Sequence, residues 1–338
     1  MQSYLLTDQY RRPIQDLRIS VTDRCNFHCS YCMPKEIFGT DCAFMHKDEL
    51  LSFEEIMRLV SLFASQGVSK IRLTGGEPLL RNDLPVLVAA IKQIPEIKDL
   101  GLTTNGTLLG KQAQSLYDAG LRRLNISLDA LDPKLFGQMN GRGIPTDHIL
   151  KQIHYAQQIG FKIKINMVVQ KNVNDAEIIP MAQYFKNCGI TLRFIEFMDV
   201  GNDNSWSFQK VVTKQNILQK LQQSFQLEPI EPTRFGEVAK YYRYAESDAQ
   251  VGFITSVSES FCSSCTRGRL SSDGTFYNCL FASQGLDLRD LLRHGADDHT
   301  LLQAIVQTWT QRKDRYSDER TAQTAVSRPK ISMSYIGG

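Results

Sequence analysis

Residues 17–34 read LRISVTDRCNFHCSYCMP and combine a short apolar run with a group of three cysteines. The first part of this stretch, Leu17–Thr22, is the short apolar run and predicts a β-strand. The strand leads directly into a loop that holds three of the eight cysteines, Cys25, Cys29 and Cys32. Clustered cysteines in a protein whose thiols stay reduced indicate metal binding more often than disulfides.

Strand-like runs recur along the first two hundred residues, with amphipathic helical segments between them. Strand and helix repeated six times predict parallel β/α units with right-handed crossovers. Functional residues of such folds lie at the carboxyl ends of the strands, where this chain places Thr22–Cys32 and Thr74–Glu77. The predicted strands are Leu17–Thr22, Lys70–Thr74, Asp99–Thr104, Arg123–Leu128, Lys162–Val169 and Leu192–Phe197.

The first predicted helix has clear limits in the sequence. Phe53–Ser65 is amphipathic, and Ser52 before it is a typical N-cap. Glu55 stands three residues after Ser52, which matches a capping box. Gly67 follows and predicts the end of the helix.

The alternation of strand and helix changes after about residue 210. A helix is predicted over 212–225, and two short strands are joined by the turn signal Ser272-Asp273-Gly274. We therefore expect two domains, residues 1–210 and residues 211–338. The predicted fold class is α/β, with a partial (β/α)6 TIM-like barrel and a C-terminal α+β extension.

Composition excludes several classes of protein. The chain has 338 residues, 42% of them hydrophobic, which excludes disorder over most of its length. The formal charge of +3 gives no indication of a nucleic-acid-binding surface. No apolar run approaches the roughly 20 residues that a membrane span needs, and the N-terminus lacks the pattern of a signal peptide. We expect a cytoplasmic protein without a membrane or nucleic-acid partner.

The first cysteine group has the spacing C-x3-C-x2-C. Three thiolates on one loop can hold three corners of a [4Fe–4S] cluster, and no fourth cysteine is near. The fourth iron would then be free to bind a small molecule. A zinc site completed by His28 or His46 is the alternative that the residues leave open.

A second group of three cysteines lies near the end of the chain, at Cys262, Cys265 and Cys279. It again has no obvious fourth thiol. A zinc knuckle with His294 or His299 remains an alternative to a second cluster. Arg267 and Arg269 follow on alternate residues of a predicted strand, a spacing that suits phosphate oxygens.

Two motifs together resemble the signature of the radical S-adenosylmethionine (SAM) superfamily. The cysteine loop follows the first strand, and Gly75-Gly76-Glu77-Pro78 ends the second. The resemblance implies that Cys25, Cys29 and Cys32 hold a [4Fe–4S] cluster that binds SAM. It also implies SAM contacts from Tyr31, Gly76, Ser127 and Met198, with Gly75 and Glu77 beside the SAM amino group.

Further segments resemble the branch of this superfamily that cyclises GTP in molybdenum cofactor biosynthesis. They include LTTNG at 102–106, NISLDAL at 125–131, EFMDVGNDNSW at 196–206 and the terminal Gly337-Gly338. The resemblance implies that Cys262, Cys265 and Cys279 hold a second [4Fe–4S] cluster, and that the terminal glycines reach into the site. It implies GTP contacts from Arg18, Arg72, Thr103, Lys164, Arg267, Gly268 and Arg269, with Lys70 and Arg193 as secondary candidates.

The expected reaction is therefore a radical SAM cyclisation of GTP through the ribose 3′ carbon and C8 of guanine. It requires a one-electron reductant, and its product would pass to the next enzyme of the pathway. A monomer or a homodimer is compatible with the sequence. A radical SAM enzyme that modifies a peptide, and a zinc- or cluster-binding nucleic-acid regulator, are the alternatives. Cys42 and Cys188 are given no function.

Overall fold

The computed structural model describes residues 5–35, 44–201 and 204–337. Cys42 and Gly338, which the sequence analysis singled out, lie outside these ranges. The fold is α/β, built on a single sheet that is mostly parallel. In the part of the chain that the structure describes, no helix is long and apolar enough to cross a membrane.

Twelve strands form the sheet within the described residues. Three of the six strands predicted before residue 210 have the predicted limits, and the other three differ by one or two residues at one or both ends. The strands are Asp16–Ser20 (β1), Lys70–Thr74 (β2), Asp99–Thr104 (β3), Arg123–Ser127 (β4), Lys162–Val169 (β5), Thr191–Glu196 (β6), Leu227–Ile230 (β7), Ala239–Tyr244 (β8), Gln250–Ile254 (β9), Arg267–Leu270 (β10), Thr275–Tyr277 (β11) and Leu286–Asp287 (β12).

The strands follow the spatial order β12-β11-β10-β1-β2-β3-β4-β5-β6-β9-β8-β7. Neighbours from β10 through β1–β6 to β9 are parallel, and the outer pairs are antiparallel. Strands from the C-terminal region therefore extend both edges of the N-terminal sheet. β7 and β8 were not predicted from the sequence, and neither was the place of β9 and β10 on either side of the six-stranded core.

Of the twelve α-helices in the described residues, seven lie in connections between strands and five follow the last strand. The first helix confirms its predicted capping box. Ser52 Oγ accepts from Glu55 N at 3.1 Å, and Glu55 Oε2 accepts from Ser52 N at 2.7 Å. The helices are Phe53–Ser65 (α1), Leu84–Lys92 (α2), Leu109–Asp118 (α3), Pro133–Met139 (α4), Thr146–Ile159 (α5), Ile178–Asn187 (α6), Lys214–Gln222 (α7), Leu288–Arg293 (α8), Asp298–Thr310 (α9), Tyr316–Glu319 (α10), Ala322–Ser327 (α11) and Met333–Ile336 (α12).

The two faces of the parallel strands differ completely in chemistry. Alternate residues point to opposite faces of a strand. On β1 and β2, Leu17, Ile19, Ile71 and Leu73 are fully buried in the apolar core, which also takes in α1 and α2. Burial of this continuous apolar face is the main source of the fold's stability. The opposite face carries the polar and charged residues of the same strands and forms the wall of a cavity.

Candidate active site

A cavity of about 310 Å³ opens on the polar face of the sheet. Strands β1–β6 each contribute side chains to its wall, as do β8, β9 and β10. Both cysteine groups border this one cavity. Sixteen of the residues predicted from the sequence line it: Cys25, Cys29, Cys32, Cys262, Cys265, Cys279, Tyr31, Gly76, Ser127, Met198, Arg18, Arg72, Thr103, Lys164, Arg267 and Arg269.

Glu77, predicted beside the SAM amino group, is buried and does not line the cavity, and neither does Gly268. It lies between Arg267 and Arg269 on β10 and therefore faces the opposite side of the sheet. A Cβ at this position would lie 2.8 Å from the ring of Phe276 and 3.4 Å from Leu17. Gly268 thus permits close packing in the core behind the site.

The first cysteine loop is held against the end of β2 by backbone contacts. Gly76 N donates to Thr22 O at 2.9 Å, and Glu77 N donates to Arg24 O at 2.7 Å. A Cβ on Gly76 would collide with the carbonyl of Arg24, and one on Gly75 with that of Thr22. The two glycines therefore allow this segment to approach the cysteine loop, in addition to lining the cavity.

Two buried carboxylates stand beside the first thiols. Glu77 is fully buried and accepts from Thr104 Oγ1 and Asn105 N, both at 2.7 Å. Burial raises the pKa of Glu77 to about 7, although these donors oppose the shift. Asp129 accepts from Tyr31 Oη at 2.7 Å and from Val168 N at 2.8 Å. Burial likewise raises its pKa to about 6.

The first thiols are strongly disfavoured as free thiolates. Burial, assisted by the nearby carboxylate of Glu77, raises the pKa of Cys25 to about 12. Burial and Asp129 raise the pKa of Cys32 to about 12 and that of Cys29 well above its ordinary value. These thiols lose their protons readily only when a cationic centre stabilises the thiolates, as happens when a metal binds and protons are released.

The second cysteine group has cationic surroundings. Arg267 Nη2 donates to Cys265 Sγ at 3.3 Å. Although burial opposes ionisation, Arg267 and Arg312 lower the pKa of Cys265 to about 6. Burial raises the pKa of Cys279 to about 11, and Phe281 N donates to its sulfur at 3.5 Å. Cys265 therefore favours the thiolate form at neutral pH.

Both groups have features that suit iron–sulfur ligation. Hydrogen bonds to cysteine sulfur stabilise such clusters. Cys25 Sγ accepts from Phe27 N at 3.4 Å, and Asn105 Nδ2 lies 4.0 Å from the same atom. Among the described residues, neither group has a histidine beside it on the cavity wall. Of the histidines in the zinc alternatives, His28 belongs to the first cysteine loop but is buried away from the cavity wall. His46, His294 and His299 do not line the cavity either.

Three arginines stand side by side on adjacent parallel strands. Arg18 of β1 is in register with Arg72 of β2 on one side and with Arg269 of β10 on the other. Like charges in such positions repel each other, which destabilises the sheet. Burial and the neighbouring Arg269 lower the pKa of Arg18 well below its ordinary value. Burial also lowers the pKa of Arg72 and of Arg269 to about 10.

The cavity wall carries more cationic than anionic side chains. Among the described residues, ten cationic side chains and five carboxylates line it. Lys70 forms an ion pair with Asp16 at 2.7 Å. Nε of Arg18 and Nε of Arg72 are buried without a hydrogen-bond partner. Within the described ranges, the lining cations with no carboxylate at ion-pair distance are Arg18, Arg72, Lys164, Arg193, Arg267 and Arg269.

Some residues of the wall were not assigned a role from the sequence. Tyr241 of β8 accepts from Lys164 Nζ at 2.9 Å. Asn125 and Asn166 accept from Arg193 at 2.7 and 2.9 Å. Tyr241 could not be found because β8 itself was not predicted. Asn125 does appear in the quoted motif at 125–131, but its contact with Arg193 spans 68 residues.

The C-terminal segment enters the same site. The backbone carbonyl of Gly337 accepts a hydrogen bond from Arg269 Nη1. Gly337 has a φ of 73°, and a Cβ there would collide with the side chain of Thr74. Tyr335 Oη donates to Asp273 at 2.5 Å and so fixes the segment just before its end. Gly337 therefore reaches the wall, whereas Gly338 lies outside the described residues.

Comparisons with known proteins identify related families over most of the chain. The family model of the radical SAM superfamily matches residues 19–185, and that of Molybdenum Cofactor Synthesis C matches residues 190–318. A GTP 3′,8-cyclase of Staphylococcus carnosus (strain TM300) is 59% identical over 336 residues, which cover 98% of this chain and 99% of the relative. A GTP 3′,8-cyclase of Staphylococcus aureus (strain JH9) is 57% identical with the same coverage.

Among solved structures, the chain resembles that of Streptococcus suis SuiB bound to S-adenosylmethionine. The TM-score is 0.59 at 16% identity, over 96% of this chain and 72% of the other. A second structure of the same protein gives a TM-score of 0.61, also at 16% identity, over 97% of this chain and 77% of the other. At this identity the likeness concerns the fold alone.

Proposed function

The chain belongs to the GTP 3′,8-cyclases of the radical SAM superfamily, and from that premise we propose which of its residues carry the reaction. The enzyme cyclises GTP to (8S)-3′,8-cyclo-7,8-dihydroguanosine 5′-triphosphate, the first step of molybdenum cofactor biosynthesis. It uses SAM and two [4Fe–4S] clusters. The observation that carries the assignment of residues is the single cavity bordered by both cysteine groups and by six cations that have no carboxylate at ion-pair distance among the described residues. We call these six the unpaired cations.

One end of the cavity is assigned to SAM. Cys25, Cys29 and Cys32 would hold the first cluster, and Tyr31, Gly76, Ser127 and Met198 would contact SAM. When bound, this cluster and SAM supply the 5′-deoxyadenosyl radical that removes hydrogen from the ribose 3′ carbon. Asp129 holds the Tyr31 hydroxyl, and Glu77 holds the segment that follows β3, so the SAM wall is already ordered. Preordered groups lower the entropy cost of binding.

The other end of the cavity is assigned to GTP. Cys262, Cys265 and Cys279 would hold the second cluster, which would bind the guanine. The unpaired cations and Thr103 would bind the triphosphate, since guanidinium groups match phosphate oxygens in geometry and charge. The ribose would then lie between the two clusters. Holding both ends of the nucleotide confines the reactive 3′ carbon to one place and excludes water from it.

The carboxyl end of the chain closes the GTP side. Arg269 donates to Gly337 O and also faces the cavity, so the tail and the nucleotide would share one guanidinium. Thr74 leaves room only for a glycine at position 337. The absence of a side chain therefore allows the tail to lie against the wall without filling the nucleotide site.

The architecture that suits this site is a partial (β/α)6 barrel with a C-terminal extension that carries the second cluster. The parallel strands from β10 to β9 share one cavity, which supports a curved sheet. The division into residues 1–210 and 211–338 is retained as part of this proposal. It is a division along the chain, because one sheet runs through both parts.

The wider setting of the enzyme belongs to the same proposal. A one-electron reductant must supply an electron to the cluster that cleaves SAM. The protein would act in the cytoplasm, where thiols stay reduced, as a monomer or a homodimer. Its product would pass to the next enzyme of the pathway, without nucleic acid or membrane as partner.

Anaerobic turnover tests this assignment. The reconstituted protein is incubated with SAM, dithionite and GTP, and 5′-deoxyadenosine and the cyclised nucleotide are measured together. We expect both products in equal amounts with GTP, and neither above background with ATP. An electron paramagnetic resonance (EPR) spectrum that GTP alters would link the second cluster to the substrate.

Other outcomes separate the alternatives. SAM cleavage that GTP does not stimulate would favour a peptide-modifying enzyme over the cyclase. Zinc in the second cysteine group, or one cluster per chain, would remove the two-cluster assignment. Binding to RNA or DNA without SAM turnover would instead favour the nucleic-acid regulator.

A further inference from the structure

A buried ionic cluster lies behind the second cysteine loop. It consists of Asp8, Arg12 and Arg312, which are 6%, 1% and 2% exposed. Asp8 Oδ2 accepts from Arg12 Nε at 2.6 Å and lies 3.4 Å from Arg312 Nη1. We call these three residues the Asp8 cluster. None of them belongs to the motifs that identified the site.

The two guanidinium groups hold the backbone of the cysteine loop. Arg12 Nη1 donates to the carbonyl of Cys262 at 2.7 Å and to that of Asp314 at 2.9 Å. Arg312 Nη1 donates to the carbonyl of Cys265 at 2.8 Å. The first and last residues of the C-x2-C turn are therefore each fixed by an arginine from a distant part of the chain.

The arginines are themselves firmly held. Asp8 Oδ1 accepts from the backbone N of Arg12 at 2.9 Å and so closes the turn on which both residues sit. Trp309 Nε1 donates to Arg12 O at 3.1 Å, and the Arg312 guanidinium stacks on the Trp309 ring at 4.5 Å. The loop thus rests on a support built from residues 8–12 and the end of α9.

Such a buried ionic cluster is poorly explained by stability alone. Removing charges from water costs as much as their attraction returns, so apolar residues of similar size would stabilise the fold at least as well. Charged groups can orient backbone carbonyl groups through hydrogen bonds, which apolar residues cannot do. Groups behind metal ligands act in this way, and their loss typically lowers metal affinity 10- to 100-fold.

We propose that Asp8, Arg12 and Arg312 are positioning residues for the second cluster. They hold the carbonyls of Cys262 and Cys265 so that both thiols border the cavity before any cluster binds. This inference rests on one part of the proposed function, which is the assignment of a cluster to these cysteines. Its direct consequence is that the two clusters depend differently on Arg312.

The test compares iron content and EPR spectra of Arg312→Gln and the wild-type full chain after anaerobic reconstitution. Two [4Fe–4S] clusters correspond to about eight iron atoms per chain, and we expect the variant to hold about four. The EPR signal that responds to SAM should persist, whereas the signal that responds to GTP should be lost. Arg312→Lys, which keeps the charge but not the planar fork, should recover part of the second signal.

Lys313→Gln is the matched control, because Lys313 is the exposed neighbour of Arg312. It should retain about eight iron atoms, the content of two [4Fe–4S] clusters. If Arg312→Gln does not fold, as judged by circular dichroism, Arg12→Lys replaces it. This variant keeps the charge beside Asp8, and we expect the same selective loss of the second signal.

Full iron content and an unchanged GTP-sensitive signal in the variant would overturn the inference while leaving the proposed function intact. Equal loss of both clusters would also overturn it, because the Asp8 cluster would then serve folding in general. A wild-type chain that assembles one cluster would remove the proposed function and the inference together. The wild-type measurement therefore distinguishes the two failures.

Discussion

The two cysteine loops share a C-x2-C element and have opposite electrostatic surroundings. Each contains a C-x2-C element and a third cysteine, and both border the same cavity. Carboxylates at Asp129 and Glu77 lie near the first loop, and burial with these charges keeps its thiols protonated. Arginines lie near the second loop and lower the pKa of Cys265 to about 6.

The difference shows how one cavity can sort two ligands by charge. SAM carries a sulfonium and an ammonium group, which carboxylates attract. GTP carries a triphosphate, which the unpaired cations attract. Exchange of the two ligands would place like charges together in a partly buried site, which is costly. The comparison therefore predicts that changes at each loop act mainly on the ligand assigned to it.

The largest expected effect is at the first loop. Cys29→Ser removes a central thiol of the C-x3-C-x2-C group, and we expect SAM cleavage to fall below detection. The measurement is 5′-deoxyadenosine production under anaerobic conditions with dithionite. Cys188→Ser, at a cysteine away from the cavity, is the control and should retain wild-type activity. Cleavage by Cys29→Ser at the wild-type rate would contradict the assignment of the first loop.

The acidic character of the first loop can be tested through stability. Burial raises the pKa of Glu77 from an ordinary value of 4.5 to about 7. The folded state therefore holds this proton more tightly than the unfolded state. Its contribution to the free energy of unfolding is complete below pH 4.5 and is lost as pH rises through 7. The wild type should therefore lose roughly 3 kcal/mol of its free energy of unfolding over this pH range, and Glu77→Gln should not show this loss.

Urea unfolding of the cluster-free protein at pH 5 and at pH 8 measures this difference. The control is Glu96→Gln, because Glu96 is exposed. It should leave the pH dependence of the wild type unchanged. A wild type and a Glu77→Gln variant with parallel pH dependence would show that Glu77 does not titrate as the structure indicates.

The basic character of the second region can be tested at Arg18. Arg18→Met removes a cation that has no carboxylate partner among the described residues. A charged hydrogen bond contributes about 1.5–3 kcal/mol, so the Kd for GTP should rise roughly 10- to 100-fold. Without ligand, the variant should be as stable as the wild type or more so, because repulsion between the three adjacent arginines is relieved.

Equilibrium dialysis with GTP and thermal unfolding without it provide the two measurements. Lys111→Met is the control, since Lys111 is exposed on α3. It should change neither quantity. Unaltered GTP affinity in Arg18→Met would remove Arg18 from the nucleotide site. A fall in SAM affinity as large as the fall in GTP affinity would contradict the prediction that each loop acts mainly on its own ligand.

The smallest expected effect concerns the link between Tyr31 and Asp129. Tyr31→Phe removes one hydrogen bond to a buried carboxylate, worth about 1 kcal/mol. We expect the KM for SAM to rise roughly fivefold, with the Kd for GTP unchanged. Tyr155→Phe, at an exposed tyrosine, serves as control. An effect of Tyr31→Phe on GTP alone would contradict the charge-based division of the cavity.

Much of the site was predictable because its residues stand at positions that local sequence determines. The capping box of Ser52 and Glu55, and the limits of β2, β3 and β5, depend on neighbouring residues along the chain. β7 and β8 were missed because β7 pairs only with β8, and β8 joins the sheet through β9, which comes later in the chain. The orientation of Gly268 was not evident from the motif, because it shares a segment with two arginines but faces the opposite side of the sheet.

The sequence by itself determined the chemistry, since cysteine spacing and the Gly-Gly-Glu-Pro turn are local patterns. It also determined the alternation that puts apolar residues on one face of each strand and charges on the other. Only the tertiary structure decided that the two cysteine groups share one cavity. It alone aligned Arg18, Arg72 and Arg269, and it placed Arg12 behind Cys262, 250 residues away. Such contacts depend on the order of strands in the sheet, which burial of the whole apolar face decides and no short segment encodes.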